Sequence, residues 1–229
     1  MHHEHHLRSS DTIRDIVIGM SDGLTVPFAL AAGLSGAGST SGIVVTAGIA
    51  EIVAGSIAMG LGGFLAGRTE ADHYRSELQR EYEEVERVPE QEKAEVKEVF
   101  ATFGLSAALQ DEVANEMAKD KDKWVDFMMR YELGLEKPEA NRASRSALTI
   151  GVSYIVGGII PLSPYFFINE SQTALYYSCG ITMICLFVFG YFKSKVTGQP
   201  LLSGALKVLF IGALAAAAAF LMAKVINGR

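Results

Sequence analysis

Apolar positions in this chain gather into five long runs, separated by short polar breaks and by one long charged stretch. The runs cover roughly residues 12–34, 43–66, 147–167, 174–192 and 201–226. Each is close to the ~20 residues a helix needs to cross the hydrocarbon of a bilayer. The first two are joined by Ser35-Gly-Ala-Gly-Ser-Thr-Ser-Gly42, an uncharged turn. The third and fourth are linked around Pro164, Asn169 and Glu170, and Gly198-Gln-Pro200 punctuates the fourth and fifth. Between the second and third runs the pattern predicts three soluble helices. The first ends near Arg87. The second opens at Pro89 and stops near Gly104, and the third covers about 107–135, halted by Gly134 and Pro138. The first of these carries one narrow apolar stripe, Tyr74, Leu78, Tyr82 and Val85, so it needs a packing partner. The predicted fold is an all-α membrane protein of five transmembrane helices, with a three-helix acidic domain inserted between spans 2 and 3. Its expected parts are a tail over 1–11, two spans over 12–67, the insertion over 68–140 and three spans over 141–229.

Composition sharpens the division. Of the 229 residues 49% are hydrophobic, yet 20% are charged. Residues 69–140 hold 20 of the 26 acids and 10 of the 20 bases, a local net charge of −10, and the remainder carries +4. An acidic block repels nucleic acid and suits cations. Basic residues also orient the spans. Arg8, Arg14, Arg68, Arg142, Arg145, Lys193 and Lys195 fall on one side of the alternating path, with Lys224 and Arg229 on the other. Lys207, near the start of the fifth run, can snorkel back to the basic side. The N-terminus and the acidic block are expected in the cytosol and the C-terminus across the membrane. The opening residues lack the pattern of a cleavable signal peptide, so targeting is expected to use the first span. Cys179 and Cys185 lie about 600° apart around one helix and read as packing residues.

Two acids lie deep inside the apolar runs. Asp22 lies about 13 Å into the first span at 1.5 Å per residue, with Pro27 freeing the carbonyl of Gly23 beside it. A carboxylate at that depth is costly and marks an ion or proton pathway by default; the alternatives are a merely structural kink with a protonated Asp, or a short soluble core helix with a paired acid. Glu51 is the second, and Met59 lies about 12 Å further along the same helix. Thioether and carboxylate together point to a borderline transition metal rather than magnesium or calcium. Methionine alone also fills apolar space, so Met59 refines the Asp22–Glu51 pair rather than carrying it.

The acidic block offers Glu81 with Glu84, and Glu92 with Glu95, each pair at i, i+3 on one helix face. Met128-Met129-Arg-Tyr-Glu132 sets thioethers and a carboxylate within about one turn. Such pairs also arise in solvated acidic helices. Glu70-Ala-Asp-His73 matches one Glu-x-x-His element of a di-iron bundle, but such a site needs two and His73 is the block's one histidine. Ferroxidase chemistry is therefore disfavoured. His2, His3, His5 and His6 form a terminal cluster that reads as a metal trap or as an exposed tail.

Asp15-Ile-Val-Ile-Gly-Met-Ser-Asp-Gly-Leu-Thr-Val-Pro-Phe-Ala-Leu-Ala-Ala-Gly-Leu-Ser-Gly-Ala37 resembles the first span of the plant-type vacuolar iron transporter family. Residues 51–67 resemble its second span, and the glutamate-rich insertion and five-span total are similar as well. The resemblance covers essentially the whole chain. It implies a homodimeric, proton-coupled antiporter of the vacuolar membrane, not an enzyme, with no prosthetic group. The implied cargo is Fe2+, with Mn2+ and, in vitro, Zn2+ or Co2+. By the same resemblance Asp22, Glu51 and Met59 line the pathway, and Glu81, Glu84, Glu92, Glu95, Met128, Met129 and Glu132 form the cytosolic metal site. Metal and proton would then exchange on the intramembrane carboxylates. The alternatives are a gated divalent-metal channel that needs no pH difference, and a membrane-anchored ferroxidase.

Overall fold

The computed structural model describes residues 6–227, with side chains from residue 11 onward. His2, His3 and His5 lie outside the described residues, and the side chain of His6 does too. Every regular element among the described residues is helical: α1 (His6–Gly36), α2 (Ser41–Arg87), α3 (Pro89–Thr102), α4 (Ala107–Met117), α5 (Lys121–Phe127), α6 (Arg142–Leu162), α7 (Ser171–Val196) and α8 (Leu201–Ile226). A π-helical turn, Met128–Glu132, follows α5, and a 3₁₀ turn, Ser163–Phe166, follows α6. Five helices are long and apolar enough to cross a membrane, within Asp11–Gly36, Ser41–Arg87, Arg142–Phe166, Ser171–Val196 and Leu201–Ile226. The most apolar of them, α8, has only 11% of its span buried inside the chain. Exposed Leu202, Phe210, Leu214 and Leu221 along it are at rest only against an apolar solvent.

The chain divides into two compact units, Leu65–Arg142 and the remainder, and α2 contributes to both. In the larger unit α1 packs on α7 and α8, and Phe28, Ala31, Val44, Ile52, Leu162 and Ala174 form its core. Glycine sets how closely α6 approaches its neighbours. A methyl group on Gly23 of α1 would lie 2.3 Å from the carbonyl oxygen of Tyr154, and one on Gly157 would lie 2.9 Å from the backbone nitrogen of Leu24. Backbones meet this closely in membrane helices only where side chains are small. At the far end of α1, Ser35 and Tyr165 share a buried hydrogen bond of 3.0 Å, and Gln172 Nε2 donates to the Ser35 carbonyl at 2.6 Å.

The second unit is built on Val85, Val96, Ala114, Trp124, Val125, Met128 and Met129, with Tyr74, Leu78 and Tyr82 packed against them. The apolar stripe expected at 74, 78, 82 and 85 thus faces this core. Two expectations need correction. No separate helix starts near residue 69, because α2 is continuous: Gly67 costs only about 1 kcal/mol, and the helix formers that follow it carry the helix through. The helix expected over 107–135 is three pieces. Residues 118–120 break it, and Asp120 restarts it as an N-cap, accepting from the Lys123 backbone at 3.2 Å. The last piece is wound as a π turn and ends where Gly134, at φ +64°, takes a conformation that L side chains rarely adopt.

Candidate metal site and membrane carboxylates

Tyr154 of α6 ties into the membrane carboxylates through Glu51. Its hydroxyl donates a hydrogen bond to Glu51 Oε1, and it lies within electrostatic reach of both Glu51 and Asp22. The residue is 2% exposed. Gly23, next to Asp22, admits its backbone, and Gly55, one turn beyond Glu51, admits its ring: a methyl on Gly55 would lie 2.5 Å from the phenol oxygen. The other carboxylate oxygen, Glu51 Oε2, is buried with no hydrogen-bond partner among the described residues. A buried carboxylate oxygen in that condition is costly unless a proton or cation shares it. Asp22 is half-buried on α1, which runs unbroken through Pro27. Met59 is half-buried two turns along α2 from Glu51.

In the second unit the structure draws Glu81 of α2, Glu92 of α3 and Glu132 of the π turn together, with one oxygen of each within 4.8 Å of the others. Glu81 and Glu92 are each 2% exposed, and each keeps a buried oxygen without a hydrogen-bond partner among the described residues; Glu132 closes the group from its exposed side. The three come from three elements, so local propensity did not assemble them. Burial pushes the Glu92 carboxyl up to about 7, and the charges of Glu95 and Glu81 add to that. Glu132 is likewise pushed up to about 7, by burial first, then by Glu95 and Glu81, with Arg80 opposing. Glu81 is raised by burial and by Glu84. Acids that repel one another and have lost their water form a place where a divalent cation gains most.

The remaining expected residues sit around this group. Glu95 accepts from Gln91 at 3.1 Å while its charge acts on Glu81, Glu92 and Glu132. Glu84 pairs with Arg80 at 3.3 Å and Arg87 at 3.8 Å. Met128 and Met129, the first two residues of the π turn, are 0% and 1% exposed and belong to the apolar core. His73 lies 3.8 Å from Glu77 on an exposed face.

Sequence reasoning missed Tyr154, which lies 103 residues from its partner Glu51. A usable signal existed: a phenol in an apolar run must bury its hydroxyl against something. It also missed Arg80, whose guanidinium sits 3.0 Å from Glu77 and 3.3 Å from Glu84.

A multi-span helical protein with carboxylates inside its apolar helices, and a separate cluster of buried acids, belongs to the class of membrane proteins that handle cations. The chain is a member of the VIT family, whose model matches residues 13–224. It is 52% identical over 226 residues to vacuolar iron transporter 1 of Tulipa gesneriana, covering 99% of this chain and 92% of that one. To vacuolar iron transporter 1 of Arabidopsis thaliana it is 53% identical, covering 99% and 90%. The yeast protein CCC1 of Saccharomyces cerevisiae is 38% identical, over 94% of this chain and 69% of its own.

Proposed function

We propose that the chain carries ferrous iron, and manganese with it, from the cytosol into the vacuole in exchange for protons. The observation that carries iron as the cargo is the match, along nearly the whole chain, to relatives named vacuolar iron transporters. In this reading the protein is a homodimer in the vacuolar membrane, with its N-terminus and residues 68–140 cytosolic and its C-terminus luminal. Glu81, Glu92 and Glu132, assisted by Glu84 and Glu95, gather the metal; Met128 and Met129 support the turn that presents Glu132. Asp22 and Glu51 are the exchange point, and Met59 biases them toward softer ions. Metal arriving from the cytosol displaces protons from these carboxylates, and protons from an acidic lumen displace the metal. Each pH unit across the membrane supplies about 1.4 kcal/mol per proton exchanged. Tyr154 holds one oxygen of Glu51 so that the other is left for the exchanging ion.

The test is uptake of Fe2+ by proteoliposomes of the purified chain, anaerobically, with and without an acid interior. Uptake should follow the imposed pH difference and stop when an ionophore collapses it. Equal uptake in both conditions would point to a channel and sink proton coupling. Oxygen-dependent oxidation of Fe2+ without transport would point to ferroxidase chemistry instead.

A further inference from the structure

Spacing puts Glu84 one turn from Glu81 on α2, yet the three-carboxylate group forms without it. Arginine holds it instead. Arg80 Nε lies 3.3 Å from Glu84 Oε2, and Arg80 Nη1 lies 3.0 Å from Glu77 Oε2, so one guanidinium fork spans two acids. Arg87 adds a contact to Glu84 Oε1 at 3.8 Å. The Arg80 charge also reaches the group itself, where it offsets part of the repulsion felt by Glu81 and Glu132. We propose that Arg80 is a built-in counter-cation that competes with a divalent metal for Glu84, and thereby sets how tightly the acidic face holds its cargo.

The inference rests on reading Glu81, Glu92 and Glu132 as a metal site. A divalent ion seated among those oxygens repels the guanidinium and attracts the Glu84 carboxylate, so the acid changes partner as the ion arrives. The exchange is shallow by design of its parts: the side chains of Arg80 and Glu84 are 53% and 25% exposed, and such pairs hold weakly. A site on a transport route has to release what it binds, and an internal cation that reclaims a ligand favours release.

The test is calorimetric titration of Mn2+ into the full chain in detergent, comparing wild type, Arg80→Gln, Arg80→Lys, Glu84→Gln and the Arg80→Gln/Glu84→Gln double variant. Removing the competing cation should tighten Mn2+ binding roughly two- to fivefold, the worth of a half-exposed ion pair. Lysine, a point charge without the fork, should give an intermediate value. In the Glu84→Gln background the gain should shrink, because the contested ligand is gone. Unchanged or weaker binding by folded Arg80→Gln overturns the proposal, and so does a gain that survives undiminished in the double variant. If Arg80→Gln does not fold, Arg80→Lys binding no more tightly than wild type overturns it. A wild-type chain that takes up no Mn2+ overturns the cluster reading and this inference together, whereas normal wild-type binding with a silent Arg80 removes the inference alone.

Discussion

The two units use carboxylates in opposite ways. In the membrane unit acids are sparse, and a glycine-lined crossing of helices brings Tyr154 against Glu51 beside Asp22. In the acidic unit carboxylates crowd, and burial, with their mutual charge added to it, pushes Glu92 and Glu132 up to about 7. The first arrangement controls an acid through steric fit and one neutral donor. The second controls acids through one another. On the proposed function, one site passes an ion and the other collects ions, and these call for different solutions, since selectivity of position needs rigid packing while affinity needs concentrated charge.

The sharpest way to break the comparison is to neutralise the sparse acids. Asp22→Asn or Glu51→Gln should reduce proton-driven Fe2+ uptake to background, while Mn2+ still binds the acidic cluster in calorimetry. Loss of both together would mean the two regions are not separable. Next in size is the fit around Tyr154. Gly55→Ala places a methyl 2.5 Å from the phenol oxygen, so it should cost about 1–3 kcal/mol of stability and also depress transport. Tyr154→Phe removes only the donor to Glu51, and should slow uptake about tenfold, the equivalent of a charge-assisted hydrogen bond of ~1.5 kcal/mol. Initial rates against pH separate the two, because only the phenylalanine variant should move the profile without loosening the fold.

The acidic unit makes a prediction of its own about pH. Glu92 and Glu132 ordinarily titrate near 4.5 and in the folded chain do so near 7, so the native state binds more protons than the unfolded one across that interval. Their protonated forms therefore support the fold below about 4.5, and that support is lost as pH rises through about 7. Thermal unfolding in chelator should show the acidic unit losing stability between those values. Glu92→Gln should flatten the loss, and Mn2+ should reverse it at pH 8. A flat profile in the wild type would show that burial and neighbouring charge do not raise these two carboxyls. The smallest effect concerns sulfur. Met129→Leu keeps volume and should change stability by less than about 1.5 kcal/mol. If Met129 is core alone, Mn2+ and Fe2+ binding stay as they were; a selective loss of Fe2+ would make the thioether a ligand.

The five spans were legible because ~20-residue apolar runs have few other uses, and the acids inside them were conspicuous against that background. The stripe at Tyr74, Leu78, Tyr82 and Val85 was legible for a similar reason, since helical period and burial coincide there. Glu81, Glu92 and Glu132 were each named among the candidates, but spacing grouped them by helix, as Glu81 with Glu84 and Glu92 with Glu95. The structure groups them across α2, α3 and the π turn. The break at Asp120 was hidden because its capping bond is a matter of geometry as much as of composition.

Sequence alone therefore determined the number and length of the spans, the partition of charge and the identity of the acids available. Those follow from solvent preference, which each segment carries locally. The tertiary structure alone decided which acids meet and what else is there. It brought Tyr154 to Glu51, left Glu84 to Arg80, and turned Met128 and Met129 into the core from the same π turn that carries Glu132. Such pairings arise from close packing between segments far apart in the chain, where a single glycine or a single turn of helix changes which side chains can touch.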